Sequence, residues 1–213
     1  MIRKSLVTLL LSAFAIGAQA HQVWVERDAT GPAKIYVGDV DGDRDEGDDV
    51  KKLEATTRVF GTDPKKTVKV VAKHGHLEAD AGKGDVRLIN DQVWKPWKNK
   101  EGQLQAAVFN SRAGRTETSA ALDFELVPVA ANSNTFTLLF KGKPLANKNV
   151  TIVNPEQWTK GFKTDDAGRI EVPVAGKGRY ILLSSHELKG DAEVGGEKVQ
   201  KLSYTTTLSF VAE

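Results

Sequence analysis

The chain has 213 residues, with 30 lysines and arginines against 28 aspartates and glutamates, four histidines and no cysteine. The lack of cysteine excludes disulfides and thiolate metal sites, so any metal must be held by imidazole, carboxylate, carbonyl or amine groups. The near balance of charge provides no basic field of the kind that draws nucleic acid or an anionic membrane surface.

Residues 1–20 have the pattern of a secretory signal: Arg3 and Lys4, an apolar run from Leu6 to Ile16, and the small-residue site Ala18-Gln19-Ala20. Cleavage there makes His21 the first residue. It also removes Arg3 and Lys4, so 30 − 2 = 28 basic residues face 28 acidic ones. The apolar run is short for a membrane span and no second one follows, so the expected product lies in the periplasm without a transmembrane segment. The remaining 213 − 20 = 193 residues suffice for one large β domain or two small ones.

A histidine at a free N-terminus differs from an internal one, because its α-amine and Nδ1 can hold the same ion in a six-membered chelate ring. Such nitrogens suit Cu(II), Ni(II) and Zn(II). The plainer reading is that His21 follows the cut by chance.

Gln22 to Glu26 and Lys34 to Val37 read as strands. Between Asp39 and Asp49 lie seven carboxylates and one arginine. Tested as a calcium loop from Asp41, this run has Glu46 where the EF-hand needs glycine and Lys52 where it needs glutamate, so the register fails. A solvated acidic loop is the simpler expectation, and one that would concentrate cations near His21 if the Lys34–Val37 strand runs beside the N-terminus.

Thr67 to Lys73 alternates apolar and polar residues and leads into His74 and His76 in "KHGHLEAD". On a strand, a His-x-His pair would turn both imidazoles to one face, about 6 to 7 Å apart, within reach of one ion. Flanking Lys73, Glu78 and Asp80 fit an exposed strand end equally well. Trp94 and Trp97 flank Pro96 at a spacing that suits either a sugar-stacking platform or ordinary packing.

Leu104 to Phe109 is a further strand, followed by the small and polar stretch Ser111 to Ala120, which places a domain boundary near Ala121 to Asp123. Beyond it the runs Phe124–Val129, Thr135–Phe140, Asn149–Val153, Gly161–Thr164, Arg169–Val174, Arg179–Ser184 and Leu202–Val211 alternate with turn signals such as Lys141-Gly142-Lys143-Pro144 and Asp165-Asp166-Ala167-Gly168. His186 follows the sixth of these runs, where it serves either as a ligand or as an edge residue bonded to backbone. No helix of three turns is predicted. The expected architecture is all-β: two small antiparallel sandwich-like domains, 21–122 and 123–213, after a signal at 1–20.

Motifs for nucleophilic or nucleotide chemistry are missing. There is no Gly-x-Ser-x-Gly elbow, no phosphate-binding glycine loop, and Ser184-Ser185-His186 does not by itself orient a triad. The chain is not expected to be an enzyme.

The phrases "AQA-HQVWVE", "KGKPLANKNVTI", "KTDDAGRIEVPV", "GRYILLSSHE" and "YTTTLSFV" together resemble a periplasmic family of unknown function often labelled the periplasmic component of nickel or cobalt transport. The C-terminal half is also similar to transthyretin-like and carboxypeptidase-regulatory sandwiches, a shape that hosts many functions. The resemblance implies a secreted β protein whose N-terminus begins at or near a histidine and whose partner is a metal-uptake membrane transporter. It supports His21, Trp24 and His186 as pattern residues, and does not extend to His74, His76 or the acidic run.

Residues and resemblance together predict an accessory protein for a divalent transition metal (nickel, cobalt or copper), with candidate ligands His21, His186, His74 and His76. His21 would be joined either by His186 or by the His74/His76 pair. Two other readings stand beside it: a metal-free interaction module of the cell envelope, and a copper oxidase built on the N-terminal histidine.

Overall fold

Alternating apolar and polar residues turn one face of a strand to a core and the other to solvent or a second layer, and this chain uses that alternation almost throughout. The computed structural model describes residues 21–28 and 31–213, so the expected signal at 1–20 lies outside the described residues. In chain order the elements are β1 (Gln22–Glu26), β2 (Ala33–Gly38), the short helix α1 (Asp48–Lys51), β3 (Arg58–Phe60), β4 (Val70–Ala72), β5 (Leu77–Ala79), β6 (Val86–Asn90), β7 (Trp97–Lys98) and β8 (Leu104–Ala113). They continue with β9 (Phe124–Pro128), β10 (Thr135–Phe140), β11 (Lys143–Pro144), β12 (Asn149–Val153), β13 (Thr159–Lys163), β14 (Arg169–Glu171), β15 (Gly178–Val194) and β16 (Glu197–Ala212). The protein is all-β and sandwich-like, as its sequence predicts.

The described strands form three sheets. A small one has the order β1-β2-β5-β4, and another gathers β9, β14 and β11 around β10. The large sheet runs β13-β12-β15-β16-β8-β6-β3, with β7 added on β8. All its pairings are antiparallel except one: β16 lies parallel to β8, from Lys201 opposite Gln105 to Ser209 opposite Ala113. The boundary expected at 122/123 falls between β8 and β9, and the large sheet takes strands from both sides of it.

Side-chain alternation in the large sheet sorts the two cores. On β16, Leu202, Tyr204, Leu208 and Phe210 join Phe124, Leu126, Phe136 and Leu138 in one apolar cluster. On β8, Phe109 and Ala113 face the other way, into a cluster with Val23, Val25, Ile35 and Leu77 of the first small sheet. The two small sheets therefore cover opposite faces of the large one. β1 is fastened to its face by hydroxyls: Ser111 Oγ accepts from the Val25 amide at 2.9 Å, and Ser209 Oγ donates to the Val25 carbonyl at 2.6 Å. Both contacts are buried, where an unanswered backbone group would cost stability.

Candidate functional site

The acidic run folds back on the strand that precedes it. Gly38 makes this approach possible: its φ is +129°, and a Cβ there would lie 2.4 Å from the Asp43 carbonyl oxygen. The returning chain bridges Gly38 to Arg44, and the Asp45 amide donates to the Val37 carbonyl at 2.8 Å. Arg44, the lone cation of the run, lies over the Tyr36 ring at 3.9 Å and beside Trp24 at 5.3 Å, and its amino group reaches Glu26 Oε1 at 3.2 Å. A guanidinium stacked on aromatic faces and paired with a carboxylate holds position well. Past it, Val50 and Leu53 are buried and anchor the far end of the run.

With the loop so placed, consecutive carboxylates meet two of the candidate histidines. Asp45 Oδ1 is 3.3 Å from His21 Nε2, and Glu46 Oε2 is 3.4 Å from His74 Nε2. The Gly47 amide donates to the His74 carbonyl at 2.8 Å. Lys52, through a 2.6 Å hydrogen bond and its charge, holds Asp49 below the usual carboxylate range, and the charge of His21 adds in the same direction. β1, which follows His21, runs beside β2 with Gln22 opposite Gly38, which brings the acidic loop to His21.

His74 and His76 sit in the turn between β4 and β5, which the Lys73 amide closes by donating to the His76 carbonyl at 2.8 Å. This corrects the expected extended pair, because in the turn each ring finds its own carboxylate. His76 Nε2 is 3.0 Å from Glu78 Oε1, and its ring tilts against Tyr36 at 5.7 Å. That hydrogen bond is the main reason Glu78 is held below its usual range.

His186 is elsewhere. It lies opposite Tyr204 on β15, on the side of the large sheet that carries Tyr180 and Leu182. Its ring meets Phe140 at 4.6 Å and Phe124 at 6.0 Å. β1 packs on the opposite side, with Trp24 against Ile181. The structure thus gathers His21, His74 and His76 at one end of the first small sheet and separates His186 from them. Among the described residues, no three histidine, aspartate or glutamate side chains converge on a point where they could hold an ion.

Of the tryptophans, Trp24 resolves as packing, whereas Trp94, Trp97 and Trp158 keep exposed surface. Trp24 is fully buried and donates Nε1–H to Glu26 Oε1 at 2.8 Å. Trp94 and Trp97 meet edge to face, with planes 77° apart, and Trp94 is also edge-on to Phe109, so the pair makes no flat stacking surface.

Sequence reasoning missed the largest charged assembly. Arg87 and Arg112, both fully buried, share Glu125 Oε1 at 2.8 and 2.9 Å, while Arg87 also reaches Glu117 at 2.7 Å and Arg112 bonds Asp85. These residues lie up to 40 positions apart in the chain, so no local motif signals them. Comparison with known proteins matches the chain to no family profile and to no curated protein.

Proposed function

We propose that this protein is a periplasmic accessory protein that binds a divalent transition metal (nickel, cobalt or copper) at a processed N-terminus and passes it to a membrane uptake transporter. The observation that carries this reading is the 3.3 Å contact between Asp45 and His21 Nε2. A carboxylate on Nε2 favours the tautomer that keeps the proton there, which leaves the Nδ1 lone pair free. Nδ1 is the nitrogen that closes a chelate ring with the α-amine released by cleavage after Ala20. The donor set fits the metal class: amine and imidazole nitrogens bind the ion, Asp45 orients the ring, and the exposed Glu46–His74 pair is the neighbouring source of further donors. No helix among the described residues is long and apolar enough to cross a membrane.

Metal content of the protein beginning at His21, compared with a form carrying one extra N-terminal residue, tests the reading. Stoichiometric nickel, cobalt or copper in the first and little in the second is the expected result. Equal content in both would remove the amine, and with it the proposal.

A second reading is a metal-free interaction module of the envelope, in which the His21–Asp45 and His74–Glu46 contacts are ordinary surface pairs. The two differ in a thermal-shift series: an ion at 100 times its Kd adds about 2.7 kcal/mol to the folded form, whereas a metal-free module gains nothing. A copper oxidase acting on polysaccharide draws no support from the edge-to-face Trp94–Trp97 pair.

A further inference from the structure

At the other end of β1 from His21, a cleft of about 830 Å³ opens where β8 and β16 end. Its walls include Arg27, Ala113, Arg115, Phe210, Val211 and Glu213. We propose that this cleft binds a small organic carboxylate with an apolar body, its carboxylate held by Arg115.

Gly114 brings Arg115 into place. With φ at +104° and a would-be Cβ 2.3 Å from Asp85 Oδ1, it turns the chain sharply out of β8 at a point that tolerates no side chain. The Arg115 guanidinium then lies 4.4 Å from the Phe210 ring centroid, and one of its amino groups is pinned by Asn134 Oδ1 and lies 3.4 Å from the Ser133 carbonyl. Its remaining nitrogens have no partner among the described residues, so one edge of the fork is fixed and the other is available. A planar guanidinium presented in this way matches a carboxylate through two parallel hydrogen bonds.

Most other charged groups of the cleft are already engaged. Asp28 and Asp85 also line it, but Asp28 is paired with Arg179, and Asp85 accepts from Arg112, Thr116 and the Glu117 amide. Arg27 spends its donors on the carbonyls of Gly31, Gly82 and Gly84. Neither Arg27 nor Arg115 forms an ion pair among the described residues. Burial draws Arg115 below its ordinary range, and Glu213 offsets this from a distance. Two guanidiniums face three carboxylates in the cleft, so an anion would be held by the open edge of Arg115 and not by an overall positive charge. The Ala113, Phe210 and Val211 wall gives an organic anion a contact that inorganic phosphate cannot make.

The test is a titration of the full chain with benzoate, and separately with inorganic phosphate, followed by amide chemical shifts of Gly84, Gly114, Thr116 and Val211. Benzoate is expected to shift these amides saturably and to leave His74 and His76 unmoved. Arg115→Met should weaken binding at least about tenfold, the worth of a hydrogen bond to a charged group. Arg115→Lys should fall between, and Glu213→Gln, which removes a competing carboxylate, should tighten binding. Absent shifts, or shifts unchanged in both Arg115 variants, would overturn the site. Phosphate binding as tightly as benzoate would overturn the assignment to an organic carboxylate. The metal reading stands or falls separately, since its residues lie at the opposite end of β1.

Discussion

At the scale of single residues, two of the candidate histidines acquire opposite characters. His21 is half-exposed beside Asp45, whereas His186 packs against Phe124 and Phe140 with its Nδ1 buried and without a hydrogen-bond partner among the described residues. On the proposed metal reading, Asp45→Asn keeps the shape but removes the charge that orients the His21 ring, so nickel affinity of a chain beginning at His21 should fall by about 10- to 100-fold in calorimetry. For His186, burial first and the nearby Lys148 second push the imidazole below its ordinary value, so the folded state favours the neutral ring. The unfolded chain takes up that proton near its own pKa of about 6.5, so the contribution is intact above that value and is lost as pH falls from there toward the depressed folded value. Urea midpoints measured between pH 7 and 5 should decline in the native protein and less steeply in His186→Gln. An equal decline would show that other groups set the slope. From sequence both residues are histidines at strand ends; what separates them is which aromatic rings the fold brings alongside.

At the scale of elements, β8 shows where patterning stops being informative. The sequence reads as a strand only to Phe109, because Asn110, Ser111 and Arg112 break the apolar rhythm. The strand runs on to Ala113 because those polar side chains are buried for specific partners: Ser111 for β1, and Arg112 for Asp85 and Glu125. β6 was hidden for the same reason, its Arg87 lying fully buried in the middle of the strand. The network should be sensitive to loss of one charge. Glu125→Gln strips two buried guanidiniums of a shared carboxylate, and unfolding by urea should show a loss of about 3 to 5 kcal/mol. Asp85 adds a pH signature. Burial works to raise its carboxyl, but Arg112 and the hydrogen bonds from Thr116 and Glu117 outweigh it and leave it below the ordinary 3.8. Its stabilisation is thus present above the unfolded value and is lost as pH falls through the lower folded one. Asp85→Asn should flatten the acid limb of a stability curve while lowering stability at neutral pH.

At the scale of the whole molecule, the parallel pairing of β8 with β16 is the decisive joint. It joins a strand from before residue 122 to one from after residue 123 over nine residue pairs, and β1 packs across both. A fragment covering 123–213 would leave the β16 edge unpaired and expose its buried Thr206, Thr207 and Ser209. Such a fragment should aggregate or show poor amide dispersion, and residues 21–213 should unfold in one transition by calorimetry. Two separate transitions would show halves that are independent. The sequence by itself determined the all-β class and most strands of the second half, because alternation and turn residues are local properties that survive in one dimension. It also marked out His21 and the acidic run as unusual, whereas the role of Gly38 appears only in the fold. Only the tertiary structure decided that His21, His74 and His76 share one end of a sheet while His186 faces the opposite core. A strand's side chains alternate between faces, and which core each face meets depends on pairings between residues nearly a hundred positions apart, such as Ser111 with Thr207.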